Sequence, residues 1–166
     1  VGGNLEMVLG ACLAAEEDRS PLILIHVPKI FPEIPMEHGL PMIRNAAERA
    51  QVPVTAAFLV EGPDFSAVEK ALGLGATRIM CDASRLSFAE NVEATRKVVD
   101  LARGFGAGVE GRLAADRADA AGGSGMTDPE QAARFAESTG VDSLGVSFGN
   151  AVGAYEEGAR FEVERL

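Results

Sequence analysis

Apolar residues recur at the helical period over Leu5, Val8, Leu9, Cys12 and Leu13, which predicts a helix from about Leu5 to Glu17. A continuous apolar run, 21–27, follows and suits a strand covered on both faces. The Pro-rich stretch 28–35 reads as a long loop, and helix returns over 41–50 before an apolar strand at 52–59. Phe65, Val68 and Leu72 mark the next helix, with Asp64 as its N-cap and Gly73 and Gly75 at its end. Thr77 to Cys81 is then a strand. Ser87 with Glu90 forms a capping box that opens a helix to about Arg103, and 107–113 is the next strand. After a loop at 114–126, Thr127 with Glu130 is a second capping box, with Pro129 in the first turn. That helix runs to about Ser138, and 141–148 is the last strand. Regular alternation of apolar strands and amphipathic helices predicts βαβ units and a parallel sheet. Periodicity leaves open whether the sheet is doubly wound or a closed barrel.

Composition narrows the classes. The 166 residues are 47% hydrophobic and 24% charged, as expected of one soluble globular domain, cytoplasmic and spanning 1–166. No apolar run approaches the roughly 20 residues of a membrane helix, and nothing near Val1 reads as a signal peptide. A net charge of −10, with 15 scattered Lys and Arg among 25 acids, argues against nucleic acid, although a local pocket can still take an anion. Cys12 and Cys81 make no CxxC pair and read as two reduced, partly buried thiols.

Several stretches, in order, resemble one family. Asn4, Leu5 and Glu6 match an N-N-L-E helix start; 79–84 (I-M-C-D-A-S) matches V-M-I-D-G-S; 86–91 (L-S-F-A-E-N) matches L-P-F-E-E-N. Residues 127–130 (T-D-P-E), 141–149 (V-D-S-L-G-V-S-F-G), 153–155 (G-A-Y) and 161–166 (F-E-V-E-R-L) continue the series. The chain thereby resembles the class II (metal-dependent) fructose-bisphosphate aldolases and their tagatose-bisphosphate relatives. The resemblance implies a TIM (β/α)8 barrel with its site at the C-terminal ends of the strands. Registered on it, the chain runs from the end of strand one to the helix after strand six, which implies a piece of a longer protein.

The family's chemistry passes through a metal-bound enediolate, with zinc as Lewis acid and carboxylates moving protons. Where the family has H-L-D-H-G, this chain has A-F-L-V-E-G over 57–62, so Val60 takes the place of the catalytic aspartate and Glu61 that of a zinc histidine; slipping the register by one residue offers Leu59 and Val60 instead, and neither choice restores Asp-His. Where it has G-T-x-H-G-x-Y, Val152 takes the place of another zinc histidine. Glu110 matches the first glutamate of E-x-E-L-G, but Arg112 replaces the second, and Ser124 and Gly125 stand where an acidic pair is expected. His26 and His38 are the only histidines. The resemblance therefore implies a scaffold kept while its zinc ligands and its acid/base group are replaced.

Other residues carry paired readings. Glu61, Asp82 and Glu110 would lie at neighbouring strand ends and could hold a hard cation such as Mg²⁺; the plainer reading makes Glu61 a solvated acid and Asp82 a turn cap. Lys29 is a Schiff-base lysine only if buried, and its Pro-rich setting favours an exposed loop. His26 is a core or rim histidine or a base, and Asn150 a turn residue or a ligand donor. Tyr155 is a ligand contact or a packing residue, and 122–125 a linker or an anion loop before Thr127. Three functions follow: a non-catalytic member binding a sugar phosphate or another subunit, homologous or identical; a lyase of altered mechanism with a carboxylate-bound metal; or a structural subunit of a catalytic paralogue.

Overall fold

The computed structural model describes residues 1–113, 126–150 and 161–165. Among the described residues five strands alternate with five α-helices. The helix starts follow from local hydrogen bonding. Helix α1 (Leu5–Glu17) opens on Asn4, whose side-chain oxygen accepts the Met7 N–H at 2.8 Å. Helix α3 (Phe65–Gly73) opens on Asp64, which accepts the Ala67 N–H at 3.0 Å. Helix α4 (Phe88–Gly104) carries both arms of the Ser87–Glu90 capping box.

Two helix starts differ from the expected ones. Helix α2 (Met36–Arg49) begins five residues before Pro41 and contains it. The Pro35 carbonyl takes the His38 and Gly39 N–H groups at 2.9 and 3.0 Å, so the first turn forms upstream. Pro41 then removes one bond to the turn above, a loss offset by the complete burial of Leu40 and Ile43. Helix α5 (Pro129–Thr139) is capped by Asp128, which accepts the Glu130 N–H at 2.9 Å. Thr127 has other work. Its hydroxyl accepts the Ser147 N–H at 2.8 Å, and its own N–H reaches the Ser147 carbonyl at 2.7 Å.

The strands are β1 (Leu22–His26), β2 (Val54–Glu61), β3 (Arg78–Asp82), β4 (Gly108–Arg112) and β5 (Ser143–Gly145). β2 starts two residues late because Pro53 has no N–H to give; its carbonyl instead accepts from Leu22 at 2.9 Å. β5 keeps only three of the eight residues expected. All neighbours pair in parallel, in the order β1-β2-β3-β4-β5. A doubly wound sheet reverses its strand order at a switch point. Unbroken order with right-handed crossovers lays every helix on one side, which is the barrel arrangement.

Strand alternation divides the side chains between two faces. Phe58, Val60, Ile79, Cys81 and Val109 enter the core with Leu40, Val68, Leu72, Val98 and Val99 of the helices. Each large side chain buried there contributes about 1.5–3 kcal/mol relative to exposure. A second cluster joins Val8 and Cys12 of α1 to Leu24, Ile43, Ala46 and Ala56. The apolar stripe expected on α1 is split by this packing: Val8 and Cys12 are buried, while Leu5, Leu9 and Leu13 stay exposed on the other side.

His26 ends β1 on the helix side and is fully buried. Its ring stacks on Phe58 with centroids 6.1 Å apart, and α2 comes so close that a methyl group on Gly39 would sit 2.4 Å from Nδ1. Among the described residues neither ring nitrogen has a hydrogen-bond partner. Burial lowers its pKa below the ordinary 6.5. The unfolded chain takes up the proton near that pH and the folded chain resists it, so this contribution to stability is full above pH 6.5 and falls as pH drops below it. His26→Leu is accordingly expected to match or exceed wild-type stability at pH 7.5, by up to about 1 kcal/mol, and to gain further on it between pH 6.5 and 5. Parallel urea unfolding across this range checks it; an unchanged acid dependence would place the titrating group elsewhere.

Candidate functional site

The other face of the sheet is built in layers by the register. Ala57, Arg78 and Gly108 are aligned; one step toward the C-terminal ends lie Leu59, Met80, Glu110 and Ser143. At the strand ends Glu61 is level with Asp82, and Arg112 with Gly145. Each named residue is two positions from the next on its strand, so all share this face. Glycine at 108 leaves a gap through which the Arg78 guanidinium passes to donate to the Ser143 hydroxyl at 2.6 Å.

Charges at the strand ends are paired. Asp82 Oδ2 accepts from Arg112 Nη1 at 3.1 Å, with the side chains only 19% (Arg112) and 21% (Asp82) exposed. Asp82 Oδ1 accepts the Ser84 hydroxyl at 2.6 Å and the Ser84 N–H at 3.2 Å, which pins the turn after β3. Glu61 pairs with Lys29 at 3.4 Å in a more open setting, 52% and 68% exposed respectively. Gly62, at φ +76, sends its N–H to the Asp82 carbonyl at 2.8 Å and closes the junction of β2 and β3. Between these turns lies a cavity of about 300 Å³ lined by Glu61, Gly62, Asp82, Ala83, Arg85 and Leu86.

A buried polar chain stands behind Arg112. Asn91, on the inner side of α4, donates to the Arg112 carbonyl at 2.8 Å and accepts from the Thr95 hydroxyl at 3.1 Å. Thr95 in turn meets the Cys81 sulfur at 3.9 Å. Burial pushes the Cys81 thiol up to about 11, so it stays protonated and unreactive at neutral pH. Cys12 is likewise buried, free and raised, through burial and then the Glu16 charge. Asn91 was not singled out from the sequence. Its signal was an amide on the face that α4 otherwise fills with Ala94, Val98 and Ala102.

Several expected site residues lie where the sequence suggested, and others do not. Glu61, Asp82 and Glu110 are all on the open face, at or near the strand ends. Val60 is not: it is 4% exposed and points the opposite way, into the helix-side core. Glu110 sits one layer deeper than Asp82, against Gly145, where an added methyl would come 3.4 Å from Oε1. Asn150 is a turn residue, accepting the Phe148 N–H at 2.8 Å and donating to the Val146 carbonyl at 3.4 Å. Lys29 is an exposed loop residue. Val152, Tyr155 and the glycines of 122–125 lie outside the described residues.

The Glu61–Asp82–Glu110 trio offered as a cation site does not assemble. Among the described residues no three His, Cys, Asp or Glu side chains come together closely enough to hold a metal ion. Arg112 claims Asp82, Lys29 claims Glu61, and Glu110 is a layer below. Zinc fits no better among the described residues, because it favours nitrogen or sulfur donors, and His26 is buried at the end of β1 on the helix side while His38 lies in α2.

The unbroken parallel strand order with the helices on one side describes part of an α/β barrel. The family model for fructose-bisphosphate aldolase class-II matches residues 2–166, and the chain belongs to that family. It is 35% identical over 167 residues to the protein YdjI of Escherichia coli K12, covering 96% of this chain and 60% of YdjI. It is 36% identical over 167 residues to the fructose-bisphosphate aldolase of Thermus caldophilus, covering 92% of this chain and 52% of that enzyme. The crystal structure of the Escherichia coli YdjI aldolase superposes with a TM-score of 0.84 at 34% identity, over 98% of this chain and 58% of that one. The chain thus spans a little over half the length of these relatives. Among the described residues no helix is long and apolar enough to cross a membrane.

The two ion pairs at the strand ends should differ in worth. A double-mutant cycle with Asp82→Asn and Arg112→Met is expected to give a coupling of about 1–2 kcal/mol in urea unfolding, because both groups are largely shielded. The same cycle with Glu61→Gln and Lys29→Met should give less than about 0.5 kcal/mol, since water screens that pair. Equal couplings would contradict the difference in burial.

Proposed function

We propose that this protein is an aldolase-family member that binds a small sugar phosphate at its strand ends and lacks zinc-dependent aldolase activity. One observation carries the reading. At the position where the family resemblance places a zinc histidine, β2 ends in Glu61, and both carboxylates of the mouth, Glu61 and Asp82, are already paired with cations. An ion-paired carboxylate still has lone pairs to accept sugar hydroxyls, so such a rim suits recognition of a polyol. It supplies no imidazole to hold zinc. Val60, packed in the core, neither carries nor moves a proton. The sugar-phosphate class comes from the relative named as a fructose-bisphosphate aldolase.

The test is metal content of the full-length purified protein, measured together with fructose-1,6-bisphosphate cleavage in the presence of Zn²⁺, Co²⁺ or Mg²⁺. The expected result is no stoichiometric metal and no cleavage above background. Stoichiometric metal with turnover would overturn the reading.

A second reading, a structural subunit docking on an aldolase-type chain or on a copy of itself, is favoured by the exposed Leu5, Leu9 and Leu13 of α1. Light scattering on the full-length protein should then show an oligomer that Leu9→Glu together with Leu13→Glu dissociates. A monomeric wild type removes docking on a copy of itself, and failure to co-purify with an aldolase-type chain removes the other form.

A further inference from the structure

The cavity between the β2 and β3 ends contains one cation that the ion pairs leave over. Asp82 is committed on both oxygens, to Arg112 and to Ser84. Glu61 is committed on Oε1 to Lys29. Arg85 lines the same cavity, is exposed, and has no hydrogen-bond or ion-pair partner among the described residues. Its place is fixed even though its side chain is free. Asp82 pins the start of the turn through Ser84, and the Leu86 N–H closes it on the Ala83 carbonyl at 3.0 Å. The backbone therefore presents Arg85 at the rim without any partner holding the guanidinium.

We infer that Arg85 is the anion anchor of this cavity, taking the phosphate of a small polyol phosphate while Glu61 accepts its hydroxyls. The inference rests on the ligand-binding reading above and adds the group that would recognise the charged end. A guanidinium offers paired donors that match two oxygens of a phosphate. Leu86 supplies an apolar wall, and Gly62 leaves open space, with nothing within 4 Å of where a side chain would begin. The volume of about 300 Å³ suits a molecule of a few carbons with one phosphate. The −10 charge of the whole chain does not oppose this, because both carboxylates that line the cavity with Arg85 are already paired with cations.

The experiment is calorimetric titration of the full-length protein and its Arg85→Ala and Arg85→Lys variants with fructose 6-phosphate, fructose and gluconate. Wild type is expected to bind fructose 6-phosphate, Arg85→Ala to bind it about tenfold or more weakly, and Arg85→Lys to fall between. Melting temperatures of the variants should stay at the wild-type value, since Arg85 holds nothing in the fold. Equal affinity in wild type and Arg85→Ala overturns the role of Arg85 and leaves the ligand-binding reading standing. Tighter binding of gluconate than of fructose 6-phosphate overturns the choice of phosphate. No binding of any probe by wild type removes both the anchor and the ligand-binding reading.

Discussion

The parallel register of β2, β3 and β4 is the constraint on which the mouth of this protein depends. Two-residue alternation gives each strand a helix-facing set and an open-facing set, and registration makes the open-facing set of one strand level with the next. Glu61, Asp82 and Arg112 face the same way because Ala57, Arg78 and Gly108 are aligned below them. A one-residue slip of β2 would send Glu61 toward the helices and bring Val60 to the rim. The core prevents that slip. Phe58 and Val60 are locked among Leu40, Val68 and Leu72, and moving them would expose them to water.

The same register explains why the ends of β3 and β4 behave as a unit. Arg112 is tied to Asp82 through its side chain and to Asn91 through its backbone carbonyl. Asp82 is tied in turn to the start of the loop that leads to α4. The strand ends, the turn and the helix therefore close a ring of hydrogen bonds, which holds the polar mouth in place.

Much of the fold was legible in the sequence, because helix caps and apolar runs are local signals. Asn4, Asp64 and Ser87 with Glu90 each set a boundary with hydrogen bonds spanning three residues. The misses have nonlocal causes. Pro41 looked like a helix start because nothing nearby reveals that burial of Leu40 and Ile43 compensates for a proline inside α2. Thr127 looked like a cap because its true partner, Ser147, is twenty residues away. The site was legible in its residue types and less so in their directions. Matching motifs placed Val60 and Glu61 side by side at the mouth, yet neighbours on a strand point to opposite faces. Arg85 went unmarked because an exposed arginine in a turn has no pattern of its own, and Asn91 was matched only as the end of a motif because its partner, the Arg112 carbonyl, is twenty-one residues away.

The direction of Val60 decides what kind of side chain position 60 can hold. Written as an alignment, one letter separates position 60 from an acid. In space, an aspartate there would push a carboxylate among Phe58, Val68 and Ile79, a setting that raises the cost of ionisation and strains the packing. Bringing the side chain of position 60 to the mouth would require turning the last residues of β2 through half a pleat and refilling the hole left behind. The contacts that hold the sheet to its helices thus also keep position 60 apolar.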